Sequence, residues 1–308
     1  MAADPRTLYT VEEEVPDLPA AQVPVLVHAM QGSVDAGHAG SLLAEHLTTK
    51  LTTRRVATFD VDVLLDYRSR RPVMTYEEGA WTDYDEPVLV LDLLRDDDGQ
   101  ALLLLHGLEP DLRWEEFIRA VRGLVEDFGV QTTVGVHGIP MGVPHTRPIT
   151  VTAHATRAEL VADYPNYISS VRVPGSASAL LEFRLGRAGH DALGFAAHVP
   201  HYLAQSDYPQ AAAELLRQIS RATDLQLPLG DLEADGLRIQ TEIDRQVSAS
   251  EEVAAVVRAL EEQFDSFAEA TGDDALGTPV AQPDEVPSAE EIAARFSEYL
   301  AGQDNDNG

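Results

Sequence analysis

The chain has no cysteine and one lysine, Lys50, in 308 residues. The first absence excludes thiol nucleophiles, thiolate metal centres and disulfides, and it suits a reducing compartment. The second excludes a Schiff-base mechanism anywhere but Lys50. Positive charge is scarce: 22 Lys and Arg stand against 52 Asp and Glu, a formal net charge of −30. No basic cluster is present to neutralise phosphates, so nucleic acid is not an expected partner. An anionic membrane would repel the same surface. Long apolar runs are missing too. Val88 to Leu94 and Ala101 to Leu105 fall far short of the ~20 residues that span a bilayer. The N-terminus, with Asp4, Glu12, Glu13 and Glu14, lacks the basic and apolar regions of a secretory signal. A cytoplasmic protein is the expectation.

The length accommodates one large α/β domain with an appendage. Val23 to Ala29 reads as a buried strand, Gln31 to Gly37 as a glycine-spaced turn, and His38 to Thr49 as a helix. This is the opening unit of a parallel α/β sheet. Further strands are expected at Arg55–Asp60, Pro87–Leu94, Ala101–His106, Gln131–Gly138, Ile149–His154, Ser169–Pro174 and Leu193–Val199, from their apolar and β-branched content. Trp114–Phe128 has apolar residues at spacings of three and four and predicts a helix. Shorter helical patterns cover Glu159–Asp163 and Ser178–Leu185, and Pro209 opens another helix to Ala222. Val73–Tyr76 and Ala80–Tyr84 flank a glycine turn and predict a β-hairpin standing off the sheet. Leu237–Val247 and Glu251–Ala270 predict an appended helical hairpin.

The expected organisation is an extended arm at 1–20, an α/β sandwich domain at 21–228 and the helical hairpin at 229–271. An acidic Pro/Gly linker at 272–287, an amphipathic helix at 288–301 opened by a capping box, and a disordered polar tail at 302–308 follow.

Three segments hold the chemistry-bearing side chains. In Gln31-Gly-Ser-Val-Asp-Ala-Gly37, backbone amides and the next helix N-terminus make Gln31, Gly32, Ser33 and Gly37 candidate anion-binding residues. The alternative is a tight turn with Asp35 as the helix cap. The loop is neither a phosphate loop, since His38-Ala39 replaces Lys-Ser/Thr, nor a nucleophile elbow. In Val136 to Pro148, His137, His145 and Arg147 are a candidate base, acid and anion clamp, or parts of a rigid connector. In Ala197-His-Val-Pro-His-Tyr-Leu203, His198 and His201 are three apart, but Pro200 between them breaks the shared helical face that a metal pair needs. A catalytic reading would use Ser33, Asp35, His38, His145 and Arg147, for hydrolysis or phosphorolysis at the sheet edge. No metal site and no cofactor are expected.

Four segments together resemble the bacterial branch of the PAC2 family, named after a proteasome assembly chaperone subunit. They are Val27–Gly37, Asp60–Pro72, Gly138–Pro148 and His198-Val-Pro-His-Tyr202. The resemblance implies a three-layer α/β/α sandwich like that of nucleoside phosphorylases and related hydrolases, followed by a helical hairpin. It implies a homo-oligomer, a trimer ahead of a dimer, and contact with proteasome subunits. Chaperones and activators of this group often end in hydrophobic-Tyr-any residue. This sequence ends Asn305-Asp-Asn-Gly308, and its nearest approximation, Glu298-Tyr299-Leu300, is internal. Docking by that terminal motif is therefore not expected. A non-enzymatic binding protein is the primary reading, and the sheet-edge enzyme is the alternative.

Overall fold

The computed structural model describes residues 5–12, 23–32, 34–165 and 170–271. Ser33, the expected linker, terminal helix and tail lie outside these residues.

Eight strands form one mixed sheet in the order β1-β3-β6-β7-β2-β8-β10-β9. Their ranges are β1 Tyr9–Val11, β2 Val25–Gln31, β3 Thr52–Phe59, β6 Leu89–Arg95, β7 Ala101–Leu108, β8 Thr132–Met141, β9 Val151–Ala155 and β10 Asp191–Pro200. The four central strands β7, β2, β8 and β10 are parallel. Antiparallel strands flank them on both sides, so the expected parallel sheet holds only at the centre. Part of the expected extended arm is the edge strand β1, anchored by the buried Leu8. β4 Met74–Glu77 and β5 Ala80–Tyr84 make the separate two-stranded hairpin.

Alternation along the strands sends side chains to two cores. On one face, Val25, Val27, Leu104, Val136 and Phe195 pack against α1 Ala39–Lys50 and α5 Pro209–Thr223. On the other, Leu26, Met30, Leu91 and Leu105 pack against α3 Trp114–Asp127 and α4 Ala177–Arg187. The result is a large central sheet flanked by helices on both faces. A four-residue turn, α2 Val61–Leu64, follows β3. α6 Gly230–Ser248 and α7 Glu251–Thr271 extend the first layer beyond α5, through Leu232, Ile243, Val257, Leu260 and Phe264.

Local chemistry sets the helix ends. α3 buries Phe117, Ile118, Val121, Leu124 and Val125, and Gly129 (φ 63°) takes the left-handed position that closes it. Ser176 caps α4 by accepting from the Ala179 amide at 3.0 Å. The expected strand at Ser169–Pro174 does not form over residues 170–174. Val171 and Val173 stay exposed there.

Candidate functional site

The Gln31–Gly37 loop leaves β2 at the carboxyl end of the parallel strands, where α/β folds usually bind ligands. Two successive left-handed residues, Gly37 (φ 67°) and His38 (φ 49°), turn the chain into α1. A Cβ on Gly37 would lie 2.8 Å from Cβ of Tyr208, so glycine is required there on two counts.

Asp35 organises the turn. Its Oδ1 accepts from the Gly40 amide at 2.8 Å and the Gly138 amide at 3.2 Å. Its Oδ2 accepts from the Ser41 amide at 3.0 Å and the Ser41 hydroxyl at 2.8 Å. The carboxylate therefore caps α1 and ties it to β8. The α1 N-terminus on which the expected anion site at Gln31, Gly32, Ser33 and Gly37 relied is thus occupied by the Asp35 carboxylate. The N-terminus of α4 is filled in the same way. Buried Glu109 accepts there from the Ala177 amide at 2.6 Å and the Ser178 amide at 3.3 Å.

Other segments converge on the loop. The Gly37 amide donates to the Ala204 carbonyl and the Tyr208 amide to the Gly37 carbonyl, both at 2.9 Å. Arg70 donates to the Gln31 carbonyl at 3.0 Å, the Glu109 carbonyl at 2.5 Å and the Asp111 carboxylate at 2.5 Å. A Cβ on Gly138 would meet the Ala36 carbonyl oxygen at 2.0 Å, so β8 and the loop touch backbone to backbone. A cavity of about 290 Å³ remains beside the loop, lined in part by Gln31, Asp35, His38, Pro140 and Gln205. His38 is half-exposed there, and its Nδ1 lies 2.7 Å from Asp207 Oδ1.

The five residues of the catalytic reading do not form one group. Asp35 and His38 border the cavity, and Ser33 is outside the described residues. His145 and Arg147 lie elsewhere, under the helical hairpin. The Tyr202 hydroxyl is 2.7 Å from His145 Nδ1 and accepts from the His145 amide at 2.9 Å. Asp244 of α6 is 3.3 Å from His145 Nε2. Burial holds the pKa of His145 below its ordinary value, against the pull of Asp244. Arg147 forms a two-pronged bond to Asp265 of α7 at 2.6 and 2.7 Å, and reaches Glu261 at 3.2 Å. The physical reason is charge: the loop after β8 carries a cation beneath two acidic helices, and the anion clamp is already closed on protein carboxylates. A second groove, about 510 Å³, lies between α5 and α6 and meets this loop at Pro148 and Ile149.

The sequence also singled out His198, His201 and His137. His198 is buried, with the hydroxyls of Thr150 and Thr152 each 2.8 Å from one of its ring nitrogens. Burial pushes its pKa down to about 4. His201 packs edge-on against Tyr202 at 5.4 Å between ring centres. His137 is lowered to about 4 by burial and by the nearby His154. Among the described residues no group of three or more His, Asp or Glu is placed to hold a metal ion. Sequence reasoning missed Arg70, Glu109 and Asp207. Only Arg70 carried a signal, its place in Arg68-Ser-Arg-Arg-Pro72; the other two act through partners 68 or more positions away.

The four segments of the resemblance thus meet around one loop. The sequence profile of the PAC2 family matches residues 29–247. The chain belongs to the PAC2 family. Among solved structures, it is similar to the Mycobacterium tuberculosis protein of unknown function Rv2714. Identity is 53%, over 86% of this chain and 90% of that one, with a TM-score of 0.83. A Corynebacterium glutamicum protein of unknown function shares 43% identity over 86% and 99% of the two chains, with a TM-score of 0.82. The Mycobacterium tuberculosis proteasome-assembly chaperone homologue Rv2125 shares 27% over 76% and 99%, with a TM-score of 0.69. No functionally curated protein matches the chain.

Proposed function

We propose that this PAC2 protein is a non-catalytic, oligomeric binding protein that works in the manner of a proteasome assembly chaperone. The observation that carries the reading is a division of labour at the top of the sheet. The candidate catalytic groups Asp35, His145 and Arg147 are consumed by bonds that hold loops together. The β4–β5 hairpin, by contrast, leaves Val73, Met74, Tyr76, Trp81 and Tyr84 in solvent, with Trp81 66% exposed. Tyr76 and Trp81 pack edge-to-face at 5.1 Å and stiffen this surface. Grouped aromatic exposure of this kind marks protein–protein contact. Its first occupant is a second copy of the chain, in a trimer before a dimer.

The proteasome is proposed as partner because Rv2125, a proteasome-assembly chaperone homologue, shares this fold and 27% of the sequence. The test is a pull-down from a proteasome-containing lysate with the full chain and with Trp81→Ala. Recovery of proteasome α-subunits by the full chain is expected. Their absence from both samples would count against the chaperone-like reading.

A further inference from the structure

A row of imidazoles, buried at His28 and open to solvent at His154, crosses the sheet face on which α4 packs. His28, in the middle of β2, is 2% exposed, and neither of its ring nitrogens has a hydrogen-bond partner. In the strand register His28 stands opposite Gly135, Gly135 opposite Gly194, and Gly194 opposite His154. The glycines make the row possible. A Cβ at Gly135 would fall 2.6 Å from Cε1 of His28, and one at Gly194 would fall 2.3 Å from Cε1 of His154. Both rings therefore lie over glycine, along one line across β2, β8, β10 and β9. His137 is two residues beyond Gly135 and points to the same face.

α4 closes this face. Its Leu181 and Leu185 join the cluster that holds Leu26, Met30 and Leu105, and its Glu182 lies 2.8 Å from His154 Nδ1. Each packed element contributes a known group. β7 offers apolar Leu105, β8 offers His137, β9 offers His154, α4 offers Glu182, and the loop after β2 offers Asp35. Burial, reinforced by His137 and His154, holds His28 down to about 3. Asp35 and Glu182 act on His137 in the opposite sense without reversing its shift.

We propose that this row is an acid-sensitive latch: α4 stays closed over β8 and β10 while the imidazoles are neutral, and opens as they take up protons. The closed state suppresses ionisation of His28 and His137. An open state restores their ordinary pKa near 6.5. The stabilisation is complete above 6.5 and is lost as pH falls towards the folded-state values. Lowering the pH from 6.5 to 5.5 then raises the open population about fivefold per imidazole, about thirtyfold for the pair. The consequence reaches the cavity, because Glu109 joins the first turn of α4 to the Arg70 clamp on Gln31.

The test is amide hydrogen exchange on the full chain at pH 7.5, 6.5 and 5.5, corrected for intrinsic rates. The amides of α4 are compared with those of β10. The expected result is that α4 exchanges by an opening more frequent than that of β10. Its protection falls at least tenfold between pH 6.5 and 5.5. In His28→Leu, or in His137→Gln if the first variant does not fold, that fall shrinks by about fivefold. Three results would overturn the latch. They are α4 protection equal to that of β10 at every pH, α4 protection that does not change with pH, and a fall that both variants leave unchanged.

Discussion

Asp35 has the residue type of a catalytic acid and the surroundings of a helix cap. Four donors converge on its two oxygens, and no lone pair is left in a favourable position for a substrate proton. Asp35→Ala should remove about 2–3 kcal/mol of stability, the sum of a lost cap and stranded donors. Urea unfolding at pH 7.5 measures it, and a loss below about 0.5 kcal/mol would show that the cap is not formed. Gly138→Ala sets a methyl group against the Ala36 carbonyl and should cost about 3 kcal/mol in the same assay. Buried histidines set the pH response. His28 and His198 sit near 3 and 4, so folding is favoured above 6.5 and each costs about 1.4 kcal/mol per pH unit below it. Stability that stays flat between pH 6.5 and 5.5 would contradict this. Of these roles, the Asp35 cap was legible in the sequence as one of two readings. His28 was not, because a histidine inside Val25-Leu-Val-His-Ala-Met30 reads as one more strand residue until the register sets it over Gly135.

At the scale of elements, apolar content and turn chemistry located the central strands, the hairpin and the long helices. Two disagreements have physical causes. α6 begins at Gly230, seven positions before Leu237 where its periodicity becomes visible. Gly230, Asp231, Asp235 and Gly236 are weak helix formers, but Leu232 is buried and Gly236 packs close to Gln210, so tertiary contact decides. Val171 and Val173 favour a strand by type but stay exposed and bury no apolar surface that would reward pairing. The helical hairpin is fastened to the domain by Arg147 and His145, a contact across about a hundred positions that no local pattern announces. Arg147 is partly exposed, so Arg147→Ala should cost at most about 1 kcal/mol of global stability. Its larger effect should be faster amide exchange in α7 than in α5. Equal rates in the two helices would show that the clamp does not hold the hairpin.

For the whole molecule, four separated segments carried the family resemblance, and the fold brings them together: they close on one loop. The family membership and the layered α/β architecture were therefore readable, while the division of the candidate catalytic set between a cavity and a helical hairpin was not. That division is what favours binding over catalysis. The central claim is that the exposed hairpin surface is an association surface. Light-scattering mass at micromolar concentration tests it most directly. The protomer is 33.5 kDa. The wild-type chain should give an integral multiple of that mass, with three expected first. The double variant Tyr76→Ala/Trp81→Ala should give the single protomer mass with an unchanged circular dichroism spectrum, because both side chains are exposed and contribute little to folding. A wild-type mass of one protomer, or a variant that assembles like the wild type, would contradict the account.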